Sequence, residues 1–223
     1  AVATFCHNLT RGLPIRIDDP AAALLLVYVD DVVDRFIDLM ATGFETGFHE
    51  VPIVHRTTVG EVADILRGFV ADRSTAMIAA VGTGLTRALY ATWVAALPPS
   101  DFAYPLVTHT DPRGMFCEML KTRDSGQFSV FTAHPGVTRG GHYHHTKTEK
   151  FLVIQCEALF RFRHVLTDEV HEVRTDAARP TVVETVPGWT HDVTNVGSDL
   201  LVAVLWANEI FDRARPDTIA AKV

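Results

Sequence analysis

From about residue 106 onward the chain changes rhythm, and that change narrows what it can fold into. The stretches 127–133, 150–154, 158–163, 181–186 and 200–206 are short and apolar, separated by turns containing Gly, Pro, Asp or Asn. Short strands punctuated in this way predict an antiparallel barrel or jelly roll. The residues before about 100 follow a mixed α/β pattern. Residues 24–29 read as a buried strand. Asp30 and Asp31 read as the cap of a helix that carries Val32, Val33, Phe36, Ile37 and Met40 at helical spacing. Thr58-Val-Gly-Glu61 reads as a capping box, in which hydroxyl and carboxylate each satisfy a free backbone N–H of the first turn. It would open a second helix with Val62, Ile65, Leu66 and Phe69 on one face. A third helical stretch, 85–97, stops at Pro98-Pro99-Ser100-Asp101. The expectation is an α+β chain of two domains, residues 1–104 and 105–223.

Composition excludes several classes of function. Hydrophobic content of 48% supports a sizeable core, and a net charge of −7 gives no support for binding nucleic acid or an anionic membrane surface. Cys6, Cys117 and Cys156 have no CxxC spacing and make no disulfide framework, which points to a reducing cytoplasm. No apolar run is long enough to span a bilayer. The first residues lack the basic-then-apolar order of a signal peptide, and there is no initiator Met, so a processed chain or a missing front is expected.

Two segments carry metal-binding chemistry. His142-Tyr-His144-His-Thr-Lys-Thr-Glu149 supplies two imidazoles two residues apart, which project from one face of a strand, and a carboxylate just after a short polar stretch. Pro187-Gly-Trp-Thr-His191 adds a third imidazole after a Pro-Gly turn. Isolated histidines in a sheet are usually surface or satisfied core residues. The glutamate and the second segment lift this set above that reading. Neutral imidazole and carboxylate suit zinc, iron, manganese or nickel without choosing among them. His145 has the opposite strand parity and is not counted as a ligand.

These segments resemble the two motifs of a cupin. Gly136, His142, His144 and Glu149 fall on the first motif, and Pro187, Gly188, His191 and Asn195 on the second. Cys156 stands where the first motif ends in glycine, so a turn that wants positive φ must accept a side chain. The resemblance extends further, through Gly126-Gln-Phe-Ser-Val-Phe-Thr-Ala, Ala158-Leu-Phe-Arg-Phe-Arg, Trp206-Ala-Asn-Glu209 and Pro216-Asp-Thr. These segments look like the C-terminal domain of the bifunctional UDP-sugar epimerase/reductases of capsule and O-antigen synthesis, the CapF/WbjC type. Leu26-Val-Tyr-Val-Asp-Asp-Val-Val33 is similar to the substrate-binding half of extended short-chain dehydrogenase/reductases. The resemblance implies a cupin or jelly-roll barrel preceded by an incomplete α/β reductase remnant. No glycine-rich strand–turn–helix fingerprint occurs, so reductase activity is expected to be lost with the nucleotide-binding half. The remnant should be less stable than the cupin or repacked, because its strands lack cover.

The function this implies is a zinc-dependent C3 epimerase acting on a UDP-linked 4-keto-6-deoxy-N-acetylhexosamine. Its metal ligands would be His142, His144, Glu149 and His191. Inversion also needs a proton acceptor and a donor on opposite faces of the sugar. Lys147, Tyr143, Lys150 and His145 are candidates by proximity, with Lys147 and Tyr143 preferred because they flank the ligands. Arg161 and Arg163 share one face of their strand and could hold a diphosphate; an ordinary solvent-facing pair is the equal alternative. Trp189 and Trp206 could stack on uracil or sugar, with core packing favoured. The competing functions are a non-catalytic metal-binding module, for dimerisation or substrate binding, and a metal-dependent dioxygenase. A homodimer is expected, with neither nucleic acid nor membrane as partner.

Overall fold

A computed structural model describes residues 1–223. The chain divides into two compact units. The first comprises Ala1–Thr75 and Ala79–Tyr104, and the second Ala76–Ile78 and Pro105–Val223.

The first unit is helical with one small sheet. Its elements are α1 (Val2–Leu9), β1 (Ala23–Leu26), α2 (Val29–Thr42), β2 (His55–Thr58), α3 (Val59–Thr75) and α4 (Gly84–Ala95). The capping box forms as read: Thr58 N–H donates to Glu61 Oε2 at 3.0 Å, and Glu61 N–H donates to Thr58 Oγ1 at 3.2 Å. Val62, Ala63, Leu66 and Phe69 of α3 pack with Phe5, Cys6, Leu89 and Trp93. Two expectations are corrected. Residues 24–29 are not a buried strand: β1 pairs only with β2, antiparallel, and a two-stranded ribbon leaves Leu25 63% exposed. Asp30 and Asp31 lie inside the first turn of α2, whose N-cap is Tyr28. The apolar stripe of that helix, Val33, Phe36, Ile37 and Met40, is exposed.

The second unit is a jelly roll of two antiparallel sheets. Its strands are β3 (Thr108–Asp111), β4 (Gly114–Thr122), β5 (Gly126–Ala133), β6 (Thr138–Tyr143), β7 (Glu149–Gln155), β8 (Glu157–His164), β9 (Val170–Asp176), β10 (Val182–Glu184), β11 (Trp189–Asn195), β12 (Leu201–Ala207) and β13 (Ile219–Ala220). One sheet runs in the order β10-β7-β12-β5-β4-β3 and the other β13-β6-β11-β8-β9. Inward residues of both sheets build one core, including Phe131, Phe151, Val153, Phe160, Phe162, Val193, Leu201 and Ala203. Strand alternation does the sorting: in β8, Phe160 and Phe162 turn in, and Arg161 and Arg163 turn out. Cys156 sits in the tight β7–β8 turn at φ +74°, so a side chain occupies a left-handed position. Its Sγ faces Asn195 Oδ1 at 3.6 Å and the Asp199 carbonyl oxygen at 3.4 Å.

Leu201, the first residue of β12, is fully buried in this core and does not line the cavity described below. Leu201→Ala is expected to lower barrel stability by about 2–5 kcal/mol, through lost burial and the space left behind. Urea unfolding followed by barrel tryptophan fluorescence measures it, and a loss under about 1 kcal/mol would show that the site collapses freely.

Candidate metal centre

β6 and β11 bring the first two imidazoles together. His142 and His191 are direct cross-strand partners. Beyond them the register slips by one residue: Gly140 pairs with Asp192 and Arg139 with Val193, so one residue of Gly140-Gly141 is extra. Both glycines have positive φ, and a Cβ on Gly140 would lie 2.8 Å from the His191 carbonyl oxygen. The bulge therefore needs glycine at 140. His191 enters β11 from the Pro187-Gly188 turn, where Gly188 at φ +80° lets Trp189 N–H reach the Val186 carbonyl at 3.0 Å. Gly188 N–H donates to the His144 carbonyl at 3.0 Å, which ties this turn to the other ligand segment. His144 lies just past β6, and Glu149 is the first residue of β7, in the opposite sheet.

His142, His144, Glu149 and His191 each place one ligand atom within 4.8 Å of the others. His144 is 1% exposed, His191 5% and Glu149 6%. Burial, reinforced by His191, pushes His142 down to about 4, so its ring is neutral near pH 7. His144 Nδ1 meets the Asp217 carbonyl oxygen, an acceptor, so Nδ1 carries the proton. In the neutral ring Nε2 then turns a lone pair toward Glu149 Oε2 at 3.3 Å. His191 Nε2 is buried without a hydrogen-bond partner and lies 3.5 Å from the same oxygen. Burial pushes the Glu149 carboxyl up, and the Lys147 ammonium, 2.9 Å from Oε1, pulls it back down below the usual carboxylate range. Nitrogen lone pairs and a buried carboxylate turned toward one point are the donor set of a cation, so these residues fit a divalent metal.

The turn between His144 and Glu149 is held from outside. The Asp217 carboxylate accepts from the backbone N–H groups of His145, Thr146 and Lys147, at 2.9, 2.7 and 2.8 Å, and from Thr146 Oγ1 at 3.1 Å. Burial pushes the Asp217 carboxyl up, but these donors dominate and hold it well below the usual range. Asn208 Oδ1 accepts from Thr148 N–H at 3.0 Å, and Thr185 Oγ1 from Glu149 N–H at 2.9 Å. Asp217, Asn208 and Thr185 escaped the sequence reading as site residues. The first two lie within the Pro216-Asp-Thr and Trp206-Ala-Asn-Glu209 segments that carried the family resemblance.

A cavity of about 370 Å³ opens on the cluster and is lined by His142, Lys147, Glu149 and His191. Phe131, Phe151 and Phe160 form an apolar wall. Lys147 is 8% exposed, with Nζ 2.9 Å from Glu149 Oε1. The structure does not bring Tyr143 to the cavity: it faces the other side of β6, edge-on to His145. Nor does it bring Arg161 or Arg163 there, because their neighbours Phe160 and Phe162 take the inward positions. Arg161 pairs with Asp192 at 2.7 Å, and Arg163 with Asp168 at 2.7 Å and the Lys222 carbonyl at 2.6 Å. Lys150 pairs with Glu184 on the surface, and Trp206 Nε1 donates to the Ser125 carbonyl at 2.8 Å. Trp189 packs against the core.

Residues 109–219 match the family described as polysaccharide biosynthesis C-terminal domain. The chain is 54% identical over its full length to the UDP-2-acetamido-2,6-beta-L-arabino-hexul-4-ose reductase of Pseudomonas aeruginosa, and covers 60% of that protein. It superimposes on the crystal structure of the capsular polysaccharide assembling protein CapF from Staphylococcus aureus with a TM-score of 0.94 and 39% identity. All of this chain and 61% of that one are covered. A CapF chain solved with the inhibitor 3-isopropenyl-tropolone gives the same score and identity, with 65% of it covered. The chain thus spans about three-fifths of the length of these relatives.

Asp217→Ala removes four acceptor contacts from the turn that carries Lys147 and leads into Glu149. Its expected outcome is a metal affinity lower by roughly 10–100-fold, the usual scale for losing an outer partner of a metal site. Competition with a chromogenic chelator reads it, and an unchanged affinity would mean the turn holds itself.

Proposed function

The chain belongs, through residues 109–219, to the polysaccharide biosynthesis C-terminal domain family, and on that premise we propose that its barrel is a zinc-dependent C3 epimerase acting on a UDP-linked 2-acetamido-2,6-dideoxy-4-hexulose. The observation that carries the reading is the convergence of His142, His144, Glu149 and His191 in one cluster, with His142, His191, Glu149 and the buried Lys147 lining a single cavity. The name of the Pseudomonas relative supplies the substrate class, a UDP-linked 4-ulose. In such a sugar the hydrogens on C3 and C5 flank the C4 ketone and are acidic, and the reading takes C3 as the reacting centre.

His142, His144, Glu149 and His191 would hold the metal. When bound, the metal supplies Lewis-acid stabilisation of negative charge next to C3, on the order of several kcal/mol. The protein's own residues supply the rest. Lys147 Nζ, 2.9 Å from Glu149 Oε1, is placed to carry a proton between the cavity and the sugar. Phe131, Phe151 and Phe160 exclude water from that wall, which strengthens the electrostatic contacts inside. His144 and Glu149 are fixed from behind by Asp217 and Thr185, so the site needs little rearrangement when substrate arrives.

Residues 1–104 fit the reading as the substrate-side part of a short-chain dehydrogenase/reductase. The reduction named for the Pseudomonas relative is not assigned to them. A cytoplasmic setting accords with three free cysteines. A homodimer is the proposed assembly.

The test is deuterium wash-in. The zinc-loaded chain is incubated with the UDP-4-keto sugar in D₂O, without nicotinamide cofactor, and C3 is followed by NMR and mass spectrometry. Exchange is expected, and His142→Ala and His191→Ala are expected to abolish it together with zinc binding. Lys147→Ala should retain zinc and slow exchange by roughly 10²–10⁴-fold, the usual contribution of a positioned acid or base. Zinc-loaded chain that exchanges nothing would falsify the epimerase reading in favour of a binding module.

A further inference from the structure

The bulge at Gly140-Gly141 has a second effect. A regular strand would put Arg139 on the opposite face from His142, since the two are three residues apart. The extra residue restores the phase. Arg139 pairs with Val193, which is buried, and turns inward beside it to line the same cavity as His142 and His191. Its position is fixed there. The guanidinium lies 5.5 Å from the Phe131 ring centre, and Nη1 donates to the Thr132 carbonyl at 3.1 Å. No carboxylate pairs with it, in contrast to Arg161 and Arg163 on the outer face. Of five N–H donors on a guanidinium, one is used.

Arg113 lines the cavity too, from the turn between β3 and β4. Asp111 holds it at 2.6 Å and leaves it about half exposed. Burial first, and then the charge of Arg113, pushes the Arg139 guanidinium down, only partly offset by Asp111. A half-buried cation without a counter-ion, next to a second cation in the wall of a cavity, is complementary to an anion.

We propose that Arg139, with Arg113 beside it, clamps the diphosphate of a nucleotide-linked sugar whose ring reaches the His142–His144–Glu149–His191 cluster. The inference rests on the nucleotide-sugar reading above and names the residues that hold the substrate's charged part. It moves that role from Arg161 and Arg163, which are spent on Asp192, Asp168 and the Lys222 carbonyl, to a pair that faces the cavity. The planar fork of Arg139 suits the bidentate geometry of a phosphate.

The experiment is calorimetric titration of the zinc-loaded full chain with two probes, inorganic pyrophosphate and UDP. Both are expected to bind. Arg139→Ala should weaken each by roughly 10–100-fold, the scale of one charge-assisted hydrogen-bonding group. Arg139→Lys should recover only part, because it restores charge without the fork. Arg139→Gln, which keeps a stem against Phe131, guards against misfolding and should weaken binding as alanine does, with zinc content and melting temperature unchanged. In the exchange assay the KM for the UDP-4-keto sugar should rise with kcat unchanged, the signature of lost uniform binding. The clamp is overturned if wild type binds neither probe, or if Arg139→Ala and Arg139→Gln bind both as wild type does. The two readings fail separately. His142-dependent exchange with a KM indifferent to Arg139 removes the clamp and leaves the epimerase. Arg139-dependent pyrophosphate binding without exchange at C3 removes the epimerase and leaves the clamp.

Discussion

The buried carboxylate of Glu149 is the constraint around which the mouth of the barrel is arranged. A carboxylate that is 6% exposed is tolerable only with compensating charge or donors. Lys147 gives one ammonium, and it approaches a single oxygen, Oε1. The other oxygen, Oε2, faces imidazole nitrogens of His144 and His191 at 3.3 and 3.5 Å. The fixed tautomer of His144 makes its nitrogen a lone-pair donor, so this half of the carboxylate is left without a proton to accept. Electrostatics thus leaves a position for a cation, and the geometry of three imidazoles sets where it sits.

Holding that arrangement falls to groups that never touch the cavity centre. The segment from His144 to Thr148 is an irregular turn, and an unsupported turn would carry its side chains loosely. Asp217 gathers three successive N–H groups of it on one carboxylate, a concave anion cradle of the kind backbone amides form in sharp turns. Asn208 closes the far end. Placement of the cluster here is a property of chain segments remote in sequence: Asp217 and Asn208, both beyond β12, hold the turn between His144 and Glu149, and Thr185, ahead of β11, holds the Glu149 N–H.

Much of this was legible in the sequence, for a physical reason. Strand alternation and helix periodicity are local, so β5, β7, β8 and β12 and the capping box of α3 could be read from neighbouring residues. Convergence of His142, His144, Glu149 and His191 was expected from the likeness of their two segments to the cupin motifs, since strand parity relates only His142 and His144, and their role as ligands stays a proposal. Cys156 at φ +74° is the strained turn expected where a glycine was replaced. What stayed hidden depends on pairing. Strand β9, polar on most of its residues, has no apolar alternation to announce it. Arg139 reads as outward until the one-residue slip against β11 is known. Asp217 gives no signal as an isolated carboxylate, because its meaning lies in the turn it meets. The burial expected of residues 24–29 failed because apolar sequence reports a capacity for burial, and the ribbon of β1 and β2 covers one side.

The two sheets share the cluster unequally: His142 and His191 stand on one, with His144 just beyond its β6, while Glu149 begins β7 of the other. Whatever bridges these four side chains is therefore a rivet between two plates, set at their open end. The plates are already glued along the phenylalanine core, so the rivet adds little to overall cohesion and much to the stiffness of the rim. Loading and unloading would be felt as a change in how far the lips of the sandwich can part. The width of the cavity's opening is then a mechanical property of the barrel, governed by one fastening between its sheets.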